Sequence, residues 1–273
     1  CMPNQAAKAE EIDWTTIQRQ GGGAGWDSSG PSSTPPALAS QMFVALDGST
    51  VDMTVRYSGN MWDNNSVPNV YGAAAPLPVE RFERALRWTN NRADVGGIPA
   101  ASDGPTIIII EFSEPILLDD LTITSLSRLL TNEGPPEVFR YEWMDISAYD
   151  EFNAYVVPDD AIRSTYAVPT GDIEVRDSSP LVEVLSGRYQ VRGTSQQCNN
   201  ASCGYDRITL TYLTTGIKRI ELTHFVTLGE NSSDGRASGS TSVAIEPILF
   251  SVQAEELDWG DAPDTGVGSG VGN

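Results

Sequence analysis

Carboxylates are the first residues here whose type and spacing suggest chemistry. The chain has 37 Asp and Glu against 17 Lys and Arg in 273 residues, a net charge of −20. Two carboxyl groups flanking a glycosidic bond can cleave it, one as acid and the other as base or nucleophile. With carboxylates this abundant, chance pairs are frequent, and pairing alone selects no couple. Oxygen donors converging from loops suit a hard cation instead. The calcium candidates are Asp119 and Asp120, Asp145 with Asp150 and Glu151, Asp206, and Glu246 in the last strand-like run. Pro247 cannot donate to a ladder, so it would bulge that run and re-aim Glu246. Neither EF-hand nor repeat-type calcium spacing occurs, and a solvated acidic surface accounts for the same residues.

His224 is the only histidine. In IELTHFVTL it shares a strand face with Ile220, Leu222, Val226 and Leu228, which places it in or beside a core. Ser-His-Asp catalysis would have to run through it, and no G-x-S-x-G elbow accompanies it. GGGAG at 21–25 is not followed by a helical pattern, so it is no phosphate cradle. The expectation is a protein that is not an enzyme, with glycoside hydrolysis as the remaining catalytic alternative. An acidic surface repels phosphate backbones, which excludes nucleic acid as the expected partner.

The segment NMWDNNSVPNVYG gathers Trp62, Asp63, Asn64, Asn65 and Tyr71 in one loop. Rings flanked by amides and carboxylates are what a sugar site uses, although loop rings also pack under their own loop. Asn64, Asn200 and Asn231 each head an N-x-S triplet. Cys198 and Cys203 sit in QCNNASCG, a Gly/Asn-rich turn between strand-like runs. That spacing reads as a local disulfide in an oxidising compartment; a zinc site would need more soft ligands. Cys1 and its polar tether resemble the start of a mature bacterial lipoprotein, with Cys1 lipidated, or simply the point where numbering begins. Ala7-Lys8-Ala9 resembles the end of a secretory signal. The lipoprotein-like start and the signal-like segment both imply export to the cell surface or beyond. No apolar run is long enough to span a bilayer.

These residues need elements to hold them. Residues 1–40 read as a polar, Gly/Ser/Pro-rich leader, with IDWTTI as one short strand inside it. FVALDGSTVDMTVRYSG reads as a hairpin turning at DGS. VERFERALRWTNN spaces Val79, Phe82, Ala85 and Leu86 as one short helix after Pro78. TIIIIEF, with its four isoleucines, reads as a strand buried on both faces. VFRYEWMDI alternates Phe139, Tyr141 and Trp143 with Arg140 and Glu142. Further strands fall at 121–126, 154–158, 173–176, 181–185, 189–192, 207–213, 218–228 and 242–252. Many short strands and one helix predict an all-β, jelly-roll-like antiparallel β-sandwich over 41–254. Extended N- and C-terminal segments flank it, and 255–273 turns acidic and then Gly-rich, as a linker or docking tail does.

DWGDAPDTGVGSGVGN, at 258–273, resembles the D-x-G-D-A-P-D junction of large secreted bacterial surface proteins of the GEVED-containing type. IIEFSEPILLDDLTI, YEWMDISAYDE and the closing EPILFSV resemble the jelly-roll modules of such proteins, over roughly 41–264. The resemblance implies an adhesive or structural module, often one that binds calcium. The functional expectation is an extracellular structural subunit of a surface assembly, a filament or sheath. Its terminal segments would bind copies of itself or adjacent modules. The alternative is a carbohydrate-binding adhesin module using the Trp62–Tyr71 loop.

Overall fold

The computed structural model describes residues 10–14, 37–44, 50–59, 69–70, 85–92, 105–132, 138–168, 173–177, 182–185, 188–193, 203–228 and 239–252. Trp62, Asp63, Asn64, Asn65, Tyr71, Cys1, Cys198 and the 255–273 tail lie outside them.

In chain order the strands begin with β1 (Glu10–Ile12), β2 (Ala37–Val44), β3 (Thr50–Gly59), β4 (Asn69–Val70) and β5 (Leu86–Arg92). Then come β6 (Thr106–Leu126), β7 (Arg128–Asn132), β8 (Val138–Tyr149), β9 (Tyr155–Val156) and β10 (Asp160–Val168). The chain continues with β11 (Ile173–Asp177), β12 (Val182–Leu185), β13 (Arg188–Arg192), β14 (Cys203–Leu228), β15 (Gly239–Ile245) and β16 (Ile248–Val252).

Two long strands organise the fold. β6 runs for 21 residues and β14 for 26, and they pair antiparallel along most of that length. Each joins two runs that the sequence pattern separates. The junctions are Ser113-Glu114-Pro115 in β6 and Leu213–Gly216 in β14, where the ladder register shifts. Pro115 has no N–H to donate, so the ladder is weakest at this point and the strands turn a corner there.

Before the corner, Thr106–Phe112 lies between β3 and the C-terminal half of β14. After it, β6 lies between the N-terminal half of β14 and β16, with β15 joining at Ile123 and Thr124. One sheet therefore runs β2-β3-β6-β14-β8-β13-β12, with β7 and β9 also on the far edge of β8. The other runs β11-β10-β14-β6-β16-β1 and carries β15-β5-β4. Their apolar faces share one buried cluster, with Val55, Ile110, Ile146 and Leu222 from the first and Leu118, Leu210, Ile245 and Phe250 from the second. The fold is an antiparallel β-sandwich, as expected.

Four details differ from the sequence reading. Leu86–Arg92 is a strand, β5, instead of the C-terminal part of a helix, and no helix occurs among the described residues. Thr89, Asn90 and Asn91 favour a helix little, and seven consecutive pairs with β15 outweigh the spacing at Ala85 and Leu86. The isoleucine run is buried on one face only: Ile108 and Ile110 are at 0% exposure, whereas Ile107 and Ile109 are half-buried. β10, absent from the sequence reading, pairs nine residues with β14. The leader also enters the core, because β1 pairs with β16 and both Ile12 and Trp14 are fully buried. Burial of Ile12 alone contributes about 1.5–3 kcal/mol. Trp14 Nε1 donates to the Glu246 carbonyl at 2.9 Å and fixes this segment beside the β15–β16 break. That break lies at Glu246-Pro247, where proline interrupts the run as expected.

Candidate functional site

β8 separates two chemistries by strand alternation. Glu142, Met144, Ile146 and Ala148 share its core parity; Trp143, Asp145, Ser147 and Tyr149 share the other. Register extends the second set into rows across neighbouring strands. Arg192, Trp143 and Phe225 form one row, and Gln190, Asp145 and Thr223 the next. Ser147 and Glu221 follow, and then Tyr155, Tyr149, Arg219 and Glu111.

An aromatic pair lies at each end of this outer face. Trp143 and Phe225 stack with planes 2° apart and centroids 6.1 Å apart, and the Arg192 guanidinium lies 5.5 Å from the Trp143 centroid. Tyr149 and Tyr155 lie 4.8 Å apart, with Arg219 3.9 Å over Tyr149. Such cation–ring contacts hold long arginine side chains against the sheet. Gln190 Nε2 donates to Asp145 Oδ1 at 2.7 Å between the two pairs. Trp143, Gln190 and Phe225 are half-buried, and Tyr155 is 45% exposed. Burial raises the Tyr149 phenol above its ordinary pKa, the Tyr155 hydrogen bond and the Glu221 charge add to this, and the ring stays a neutral donor. The described charges on this face are Arg56, Arg192 and Arg219 against Asp52, Glu111, Asp145 and Glu221, so the negative sign is in excess. Arg56 and Glu111 also form an ion pair at 3.4 Å.

The inner face of the same strand holds acid–base groups of another kind. Glu142 Oε2 accepts from Ser127 N at 2.6 Å and Ser127 Oγ at 2.7 Å. Its other oxygen lies 3.9 Å from His224 Nε2. Glu142 is 2% exposed and His224 0%. Trp88 meets the imidazole edge-on at 6.4 Å. Backbone bonds from Glu142 N to Ser127 O and from Gly193 N to Glu142 O complete the junction. A Cβ at Gly193 would collide with the Ser127 backbone, so only glycine fits. In a hydrolytic triad the histidine stands between serine and acid; here the carboxylate does. Desolvation pushes His224 down to about 3, so it is neutral at physiological pH. The group braces the β6–β7 junction, β8 and the end of β13. His224 is a core residue, in keeping with its apolar strand face.

The calcium candidates are spread over the molecule. Asp145 lies on the outer face just described. Asp150 closes a turn, accepting from Phe152 N at 2.9 Å and Ala154 N at 2.8 Å through one oxygen. Asn153 takes φ 60° within that turn, where Asn is tolerated, and Glu151 is exposed. Asp120 accepts from Thr122 Oγ1 at 2.5 Å. Asp119 is half-buried beside it, and Asp206 is fully buried in β14 opposite Leu126. Glu246 receives Arg207 in bidentate fashion, Nε at 2.6 Å and Nη2 on the second oxygen. Burial works to lower Arg207, but the Glu246 bond and charge, with Asp120, raise it above its ordinary value. Among the described residues, no group of three His, Cys, Asp or Glu side chains converges to hold a metal.

Of the described residues singled out from sequence as site candidates, only Asp145 joins the outer face. Trp143, Gln190, Phe225 and Tyr155 were not recognised as a group. The signal was in VFRYEWMDI, whose alternation marks Trp143 and Asp145 as sharing one face and Glu142 the opposite one. Cross-strand partners at Gln190 and Phe225 depend on register, which the sequence does not display.

No protein-family model and no curated protein matches the chain. One solved structure to which it is similar is described as giving the structural basis for the promiscuous specificity of carbohydrate-binding modules from the β-sandwich superfamily. The two chains are 12% identical, covering 83% of this chain and 99% of that one, with a TM-score of 0.15. A likeness at that score carries no argument about fold or ligand.

Proposed function

We propose that the chain is a carbohydrate-binding module with no catalytic role of its own, and that glycan sits on the outer face of β8, β13 and β14. One observation carries this reading. Two aromatic pairs stand on one hydrogen-bonded sheet face, with Asp145, Gln190, Ser147 and Glu221 between them. Sugar rings present apolar C–H faces that stack on aromatics, and hydroxyl edges that bond to carboxylates and amides. A sheet preorganises these groups better than a loop does. The Glu142, Ser127 and His224 group is sealed in the core and offers a substrate no access. The described part of the N-terminal segment, β1, pairs with β16 of its own chain. The junction-like tail fits a module within a larger exported surface protein.

Affinity electrophoresis tests the reading. Native gels containing soluble neutral polysaccharides, such as xylan, mixed-linkage glucan or galactomannan, should retard the wild-type protein. Trp143→Ala and Gln190→Ala should restore its mobility. Free migration of the wild type in every gel, together with a blank glycan array, would refute the proposal.

A further inference from the structure

We infer that this face takes a linear, uncharged polysaccharide laid along β8, with Trp143 at one end and Tyr155 forming the far subsite. This rests on the glycan-binding reading and specifies the shape and charge of the ligand.

The strand sets the scale. Trp143 and Tyr149 are six positions apart on one strand and face, about 20 Å at ~3.4 Å per residue. That exceeds one sugar ring and suits an extended run of several. Tyr155 is Tyr149's cross-strand partner and stacks beside its ring. Tyr149 is 9% exposed and lies under Arg219, whereas Tyr155 is 45% exposed, so Tyr155 is the ring a ligand meets. Its strand neighbour Val156 is 7% exposed and points into the core, which fixes Tyr155 outwards. Between the ends, the half-buried Gln190 and Glu221 supply hydrogen-bonding groups to successive rings, and Asp145, 5% exposed, holds the Gln190 amide in place.

Charge selects the class of sugar. The chain carries a net charge of −20, and on this face Asp52, Glu111, Asp145 and Glu221 outnumber Arg56, Arg192 and Arg219. Arg192 and Arg219 are held against the two ring pairs, and Arg56 pairs with Glu111. A uronate or sulfate repeating along the chain would meet Asp145 and Glu221 in the middle of the track, whereas hydroxyls would not be penalised.

The test is isothermal titration with linear neutral oligosaccharides, from disaccharide to hexasaccharide, of whichever backbone retards the protein. Affinity should climb about tenfold or more along the series as the second ring is reached. Tyr155→Ala should abolish that gain while leaving disaccharide affinity within about twofold. Trp143→Ala should weaken every length. The variants should melt close to the wild type, which separates lost contacts from lost fold. Binding that ignores length, or a Tyr155→Ala protein that keeps the gain, would overturn the inference and leave glycan binding standing. Uronate oligomers that bind as tightly as neutral ones would overturn its charge component. Failure of the wild type to bind any length would remove the glycan-binding reading itself.

Discussion

Glu142 and Asp145 lie three positions apart on β8 and face opposite ways. Glu142 lies beside a histidine, a serine and an indole, all buried in the sandwich. Asp145, 5% exposed, lies on the opposite face of the sheet beside the half-buried Trp143 and Phe225 rings and the Gln190 amide. The inner group has the residue types of catalysis, without access and in the wrong order. The outer group displays what a sugar recognises. Residue type alone therefore misleads, and the side of the strand decides between bracing and binding.

This contrast can be broken most strongly with pH. His224 titrates near 6.5 when unfolded and near 3 in the fold. Between those values the unfolded chain binds the proton and the folded chain does not. The stability contribution is present above about pH 6.5 and is lost as pH falls towards 3, at about 1.4 kcal/mol per pH unit and about 5 kcal/mol in all. Urea unfolding at pH 7, 5 and 4 should show the decline, and His224→Leu should flatten it by that slope. Equal slopes in the two proteins would contradict the sealed-core description.

Removing the acid from the inner group comes next. Glu142→Ala leaves the buried Ser127 N–H and hydroxyl without their acceptor and should cost about 1–3 kcal/mol by chemical denaturation. Asp145→Ala, three positions away on the other face, should cost about 1 kcal/mol or less. Similar losses for both would mean that the two faces are not distinct. Trp143→Ala should lower glycan affinity about tenfold or more, about 1–3 kcal/mol, since truncating a central ring in a binding face has effects of that size. The smallest effect belongs to Phe152→Ser. Phe152 is 81% exposed at the turn closed by Asp150, so the change should alter stability by no more than about 0.5 kcal/mol. A larger shift in thermal melting would place that ring in the fold's framework.

Much of the sandwich was legible. The DGS hairpin pairs Phe43 with Val51 as expected, and most strand runs appear where alternation marks them. What the sequence hides is long-range. The corners in β6 and β14 lie within continuous strands, which residues such as Ser113 and Thr214 disguise because they look like loop residues. Trp14 reads as part of a leader because nothing local reveals that its indole reaches the Glu246 carbonyl, 232 positions away. β10 escapes notice because Asp160, Arg163, Ser164 and Thr165 dilute its apolar signal, and pairing with β14 supplies what propensity does not. The binding face was half legible. Trp143 and Asp145 are visible in one motif, while Gln190, Phe225 and Tyr155 join them only through register. The carboxylates chosen for calcium show the converse, since Asp150 and Glu246 have an intramolecular role in closing a turn and pairing with Arg207.

The most direct test measures binding and stability on the same preparations of wild type and Trp143→Ala. A neutral oligosaccharide of at least four residues gives the affinity, and urea unfolding at pH 7 gives the stability. The account predicts an affinity loss of about tenfold or more with a stability change of about 1 kcal/mol or less. Undiminished affinity at undiminished stability would contradict it, because the outer face of β8 would then not be where the glycan sits.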